Sequence, residues 1–187
     1  MTGGPRFAVL AVCTANICRS PLIEMLLRAR LDADRFEVAS AGVRGWDRQP
    51  MDSMAAMELR RLGHDAATFR SHPLDSYLVE SADLILTATR EHRSEVLAMN
   101  PQALRRSFTL LEFAALTALV DGDDPASLVA AAAQRRSLAP AAADVRDPYR
   151  RGPDVHRATA DQIDAAVTTI ADRLNALVPQ EAPPAGR

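Results

Sequence analysis

The chain has no lysine: all 22 of its basic residues are arginine. Ala-rich stretches accompany them, a pairing that resembles a coding bias, so an arginine is informative only where a motif surrounds it. An excess of positive charge is also missing. The formal net charge is -2 at pH 7, which gives no support to a nucleic-acid or membrane partner. Cysteine is scarce, with only Cys13 and Cys18, too few for a secreted disulfide framework and pointing to a reducing compartment. No apolar run approaches the ~18 residues of a membrane helix. The opening MTGGPRFAVLAVC echoes a signal peptide, but its apolar run ends at Cys13 in a polar loop. A cytoplasmic location is therefore expected. No internal repeat is present.

What is there suits one α/β domain, since 187 residues can bury a real core but would be cramped as two domains. Phe7 to Val12 is a continuous apolar run of strand length, as in a strand buried on both faces. A polar loop, Thr14 to Ser20, leads to a helix to about Leu31, with Ser20 as its N-cap and Pro21 in the first turn. Further strands are expected at 36–43, 83–88 and 106–109. Helices are expected at 52–62, 91–99, 111–120 and 154–178, the last carrying Ile163, Ala166, Val167, Ile170, Leu174 and Leu177 at helical spacing. Segment 121–144 is ambiguous: a turn, a possible short helix and a linker. The expected fold is a four-stranded parallel sheet, order 2-1-3-4, with helices on both faces. The domain should span 6–178, with disordered tails at 1–5 and 179–187. Ligands of such sheets bind beyond the carboxyl ends of the strands, where the Cys13 loop, the Trp46 loop and the segment after Thr87 all fall.

The loop Cys13-Thr14-Ala15-Asn16-Ile17-Cys18-Arg19-Ser20-Pro21 joins the first strand to its helix. Such a loop can turn successive backbone N–H groups inward while the helix adds its positive end, making an anion cradle. C-x5-R spacing brings the thiol beneath the anion and the guanidinium beside it, where Arg can hold two phosphate oxygens at once. The same donors favour a thiolate, and Ser20 can add a hydroxyl hydrogen bond. A cysteine after an apolar strand is by default a small buried hydrophobe. A strand, C-x5-R-S and a Pro-led helix together weigh against that default. The C-x4-C pair can be redox-active or half a metal site, yet no other Cys and no nearby His completes a tetrahedron. A Walker loop is excluded by the missing G-K-[ST] ending.

These residues resemble the low-molecular-weight protein tyrosine phosphatases, whose motif V-C-x-G-N-x-C-R-S-P stands here as Val12 to Pro21. Ser40-Ala41-Gly42 matches the end of that family's second strand and Asp147-Pro148-Tyr149 its acid loop, so the likeness runs from about Arg6 to Val178. The resemblance implies a phosphotyrosine phosphatase without metal or other cofactor, taking tyrosine-phosphorylated protein and binding phosphate or other oxyanions in the loop. Cys13 would be the nucleophile that forms a phosphocysteine, Arg19 the phosphate clamp and Asp147 the general acid and base. Thr14, Ala15, Asn16, Ile17 and Cys18 would bind substrate with Ser20. Asn16, Ser20 and Ser40 would support the loop, and Cys18 would be the redox partner of Cys13. Trp46 and Tyr149 would wall a slot deep enough for phenyl phosphate.

The chain departs from that pattern in four places. Ala15 stands for the family's Gly, at about 1–2 kcal/mol of strain if the position needs positive φ. Arg150 and Arg151 follow Tyr149 where an aromatic is usual, making a basic rim that suits acidic flanks on the substrate. The family's supporting His looks replaced around Phe69 to Leu74, and segment 121–144 is long. Same-fold rivals are an arsenate reductase coupled to a low-molecular-weight thiol and an arginine-phosphate branch that tends to carry Thr at the place of Ile17. Ile17 therefore leans toward tyrosine. A non-catalytic phosphate-binding module, its loop disabled at Ala15, is the rival of a different class, and the Asp147 loop argues against it.

Overall fold

The structure is a computed structural model that describes residues 5–140 and 144–177. The expected tails lie outside the described residues, Pro5 apart, as do residues 141–143 of the expected linker.

The apolar run at the start forms β1 (Phe7–Cys13), followed by α1 (Arg19–Arg30), β2 (Phe36–Gly42), α2 (Ser53–Arg61) and α3 (Ser76–Ser81). Then come β3 (Leu84–Thr87), α4 (Arg90–Met99), β4 (Ser107–Thr109), α5 (Leu110–Thr117), α6 (Pro125–Gln134) and α7 (Pro153–Ala176). The strands make one parallel four-stranded sheet in the order β2-β1-β3-β4, as expected. Alternation along β1 divides the core. Val9, Ala11 and Cys13 pack with α1, α5 and α7, whereas Leu10 and Val12 pack with Val79 of α3 and Val96 of α4. Cys13 thus belongs to the larger core layer, and only the loop beyond it reaches the sheet edge.

Two segments were poorly legible beforehand. Helix α3 was not expected; at six residues it is too short to show helical periodicity. The described part of segment 121–144 holds α6, whose start is fixed by a reciprocal cap: Asp124 accepts from the Ser127 amide at 2.7 Å and Ser127 Oγ accepts from the Asp124 amide at 3.0 Å. Leu128, Val129 and Ala132 bury its inner face, so this excursion is part of the core. Among the described residues no helix is long and apolar enough to cross a membrane.

The end of β2 fixes the loop after β1. Val43 and Arg44 donate backbone N–H groups to the carbonyls of Cys13 and Thr14 at 3.0 and 2.8 Å. The two chains run so close that a Cβ on Gly42 would sit 2.7–2.8 Å from backbone atoms of Thr14, Ala15 and Asn16. Backbone cannot swing aside as a side chain can. Gly42→Ala is therefore expected to cost about 1–3 kcal/mol of stability and to weaken anion binding at the loop, as read by urea unfolding and phosphate titration. Wild-type behaviour in both would refute the close approach.

Candidate active site

The loop between β1 and α1 turns on Asn16, whose φ is 56°. Asn tolerates this left-handed region better than most residues. Ala15, where strain was anticipated, is not among the positive-φ residues, so the methyl group there carries no backbone penalty. The side chain of Asn16, fully buried, holds the turn in place. Its Nδ2 donates to Ser20 Oγ at 2.8 Å and to Ser40 Oγ at 2.7 Å, while its Oδ1 accepts from the His72 amide at 2.7 Å. The support thought missing around Phe69–Leu74 is thus supplied by a backbone N–H, for which side-chain identity is immaterial.

Ser20 was expected to cap α1. It lies instead inside the first turn, and Cys18 holds the cap position without a side-chain hydrogen bond. The Ser20 hydroxyl donates to Cys13 Sγ at 2.9 Å. The early N–H groups of α1 consequently meet no competing side-chain acceptor, which leaves them to an anion. Behind Ser40, the buried carboxylate of Glu24 accepts from its hydroxyl at 2.5 Å and pairs with Arg28 at 3.2 Å. Burial pushes the Glu24 carboxyl up from its usual value, against the pull of Ser40 and Arg28.

Arg19 is only 4 % exposed. Its Nη1 donates to the Val145 carbonyl at 3.3 Å, and its Nη2 reaches Thr14 Oγ1 at 3.3 Å and Asp147 Oδ2 at 3.1 Å. Its buried Nε has no partner among the described residues. Leaving such a donor unpaired costs about 1–3 kcal/mol, and an oxyanion lying over the loop would remove that cost. Segment 144–147 is pinned by the Val145 amide on the Ala88 carbonyl at 2.9 Å and by Asp144 on the Arg90 amide at 3.0 Å. That anchoring delivers Asp147 to Arg19 across more than a hundred residues of chain.

Asp147 is 53 % exposed on its side chain. Its Oδ1 accepts from the Tyr149 amide at 3.2 Å. Trp46 and Tyr149 are both exposed aromatics, at 56 % and 39 %, on segments that flank the loop. The Trp46 carbonyl is held by the Ser71 hydroxyl, and the Arg150 guanidinium lies 5.3 Å from the centre of the Tyr149 ring. Ile17 is half-buried, its carbonyl accepting from the Asp52 amide at 2.8 Å. Cys18 is buried, and burial above all pushes its thiol up from the usual value. Asp52, Cys13 and Asp147 act in the same direction and Arg19 opposes them. Cys18 therefore stays a thiol at neutral pH.

The geometry gathers Cys13, Thr14, Asn16, Arg19, Ser20, Ser40 and Asp147 around one loop. Sequence reasoning missed Glu24, which lies one helical turn beyond Ser20, and the pair Thr89 and His92. That pair opens α4 just past the edge of β3, at the sheet edge already marked for ligands. No group of three or more His, Cys, Asp or Glu suited to a metal occurs among the described residues.

Residues 8–139 match the family model described as low molecular weight phosphotyrosine protein phosphatase; the match stops short of Asp147. A low molecular weight protein-tyrosine-phosphatase of Escherichia coli K12 is 39% identical over 95 residues, which make up 51% of this chain and 63% of that relative, less than two thirds of its length. A protein-arginine-phosphatase of Geobacillus stearothermophilus is 29% identical over 168 residues, 90% of this chain and 96% of that one. Among solved structures, the arginine phosphatase of G. stearothermophilus superposes with a TM-score of 0.71 at 27% identity, covering 91% of this chain and 94% of that one. A low molecular weight protein tyrosine phosphatase from T. tengcongensis gives 0.71 at 27% identity, covering 90% of this chain and 99% of that one. With that family model matched over residues 8–139, most of the chain's length, the chain belongs to the low molecular weight phosphotyrosine protein phosphatases.

Proposed function

We propose that the protein is a cysteine-dependent phosphatase of phosphorylated proteins, acting on phosphotyrosine. The observation that carries this is Arg19: a buried guanidinium with an unpartnered Nε, set in a loop whose buried Cys13 Sγ already receives a hydroxyl hydrogen bond.

The chemistry follows from the positions. A phosphate group enters with its oxygens toward Arg19 Nε and the free amides at the start of α1. Cys13 Sγ, as thiolate, attacks phosphorus, and the P–O bond to the leaving group breaks as the S–P bond forms. The phenol oxygen leaves with a proton from Asp147, whose carboxyl is exposed enough to meet it. Asp147 then takes a proton from water, which attacks phosphocysteine and returns phosphate and the Cys13 thiolate. Thr14, Ala15, Asn16, Ile17 and Cys18 give the loop that surrounds the phosphate. Ser20 favours the thiolate as nucleophile and as leaving group. A rim of Trp46 and Tyr149 suits an aromatic ester, and Arg150 and Arg151 suit acidic residues beside it.

A second reading has a specific observation behind it. Relatives named protein-arginine-phosphatase align with about nine-tenths of this chain, so phosphoarginine is the competing substrate; Ile17 remains the residue that favours phosphotyrosine. Hydrolysis of phosphotyrosine, phosphoarginine and phosphoserine peptides, with Cys13→Ser as control, separates the two. Preference for phosphotyrosine is expected. Preference for phosphoarginine would replace it, and activity persisting in Cys13→Ser would end the cysteine mechanism.

Asp147→Ala should lower kcat by about 10²–10⁴. Because the carboxylate that repels an incoming anion is gone, phosphate should bind at least as tightly. Unchanged turnover would remove Asp147 from the mechanism.

Under mild peroxide, Cys13 thiolate would be oxidised to a sulfenic acid, releasing hydroxide. Cys18 would then displace water to form a disulfide that added thiols reverse. Since Cys18 is held as a thiol, the second step should quicken with pH. Mass spectrometry finding only sulfinic or sulfonic Cys13 would rule out Cys18 as its partner.

A further inference from the structure

One buried titratable group beside the loop has no part in the mechanism above. His92, on the first turn of α4, is 5 % exposed and both its ring nitrogens are engaged. Nε2 lies 2.8 Å from Thr14 Oγ1, and Nδ1 lies 2.8 Å from Thr89 Oγ1. Thr14 Oγ1 in turn accepts from Arg19 Nη2 at 3.3 Å. Four side chains from three separate elements thus form one line, from the buried guanidinium to the N-cap of α4.

The direction of the hydrogen bonds along that line can be worked out from its charged end. Arg19 can only donate, so Thr14 Oγ1 is an acceptor toward it. The hydroxyl proton is polarised by the cation and points away from it, toward His92 Nε2. In that arrangement the nitrogen is unprotonated and the ring proton is on Nδ1, donated to Thr89 Oγ1, which also accepts from the His92 amide at 3.3 Å. All the bonds then run the same way, each strengthening the next. The opposite tautomer would aim an N–H dipole at a hydroxyl already facing a guanidinium.

We propose that His92 is a positioning residue for the anion: as a neutral Nδ1–H imidazole it takes the Thr14 hydroxyl proton and so fixes the acceptor that holds the Arg19 guanidinium under the loop. This rests on reading the loop as a phosphate site. The surroundings keep the ring neutral at working pH. Burial first, then the Arg19 charge, lowers the imidazole to about 4; Arg44 acts with them, while Asp147 and Asp144 act against. A cationic ring at this place could not accept from Thr14, and the line would lose its direction.

The substitutions that separate positioning from packing are His92→Gln, which keeps an acceptor near the place of Nε2, and His92→Phe, which keeps a ring of similar volume without one. Isothermal titration of each with inorganic phosphate reads the guanidinium's placement without reference to turnover. Nitrogen-15 NMR of the wild-type imidazole at neutral pH reads the tautomer directly. We expect the Nδ1–H tautomer, phosphate affinity within about threefold of wild type in His92→Gln, and a loss of about tenfold in His92→Phe, the scale of a hydrogen bond made to a charged group. A dominant Nε2–H tautomer would overturn the proposal, as would equal binding by His92→Phe and wild type or equal losses in both variants. A wild-type protein that binds phosphate but hydrolyses no phosphate ester would defeat the phosphatase reading and leave the His92 comparison standing, because titration and NMR do not depend on turnover.

Discussion

The site depends first on one buried side chain in a left-handed turn. Asn16 lets the chain reverse direction between β1 and α1, and its amide group then ties that reversal to three other elements. Its donors reach Ser20 on α1 and Ser40 on β2, and its carbonyl oxygen receives the His72 amide. An amide has two donors and an acceptor in fixed geometry, so a hydroxyl or a carboxylate could not make the same set. Because Ser20 also touches Cys13 Sγ, the residue that shapes the turn is one bond removed from the thiol. Satisfied networks of this kind are stiff, and partly satisfied ones are costly in a low-dielectric interior. The loop is therefore held by its second layer.

Charge is arranged on the same plan. A chain this rich in arginine exposes most of its cations, yet Arg19 is buried among a carbonyl, a hydroxyl and one accessible carboxylate. A buried cation without full pairing is expensive. In a family that handles phosphate esters, an incoming oxyanion would offset that cost. The Asp147 pair serves a related end. It keeps the carboxylate beside the guanidinium at 3.1 Å while leaving half of its surface open to solvent.

Three parallel strands end beside one another, and each contributes a different function at its carboxyl end. β1 ends in the thiol, β2 in the serine and glycine that grip the loop, and β3 is followed at once by Ala88, on whose carbonyl the Asp147 segment hangs. Helix α4 begins shortly after that point, so His92, held by Thr89, meets Thr14. Parallel pairing puts all these ends on one edge. Residues far apart in the chain converge there without long loops.

Local chemistry was readable from the chain alone. Continuous apolar runs marked the central strands, periodic Ile and Leu marked α7, and C-x5-R-S-P after a strand marked the loop that joins β1 to α1. Those inferences hold because strand period, helix period and turn preference are properties of short segments. What the chain could not disclose depended on distant partners. Ala15 escapes strain because the left-handed residue is its neighbour Asn16, a matter of which peptide turns. Ser20 serves the thiol in place of capping the helix, and a backbone amide of His72 supplies support that no side-chain motif records. His92 carried no signal beyond its place near the sheet edge, since only packing brings its ring to Thr14. The sequence by itself determined the strands, the longer helices and the loop after β1, as these follow from neighbouring residues. Tertiary structure decided which donor faces which acceptor, because hydrogen bonds across elements depend on distances that sequence spacing does not encode.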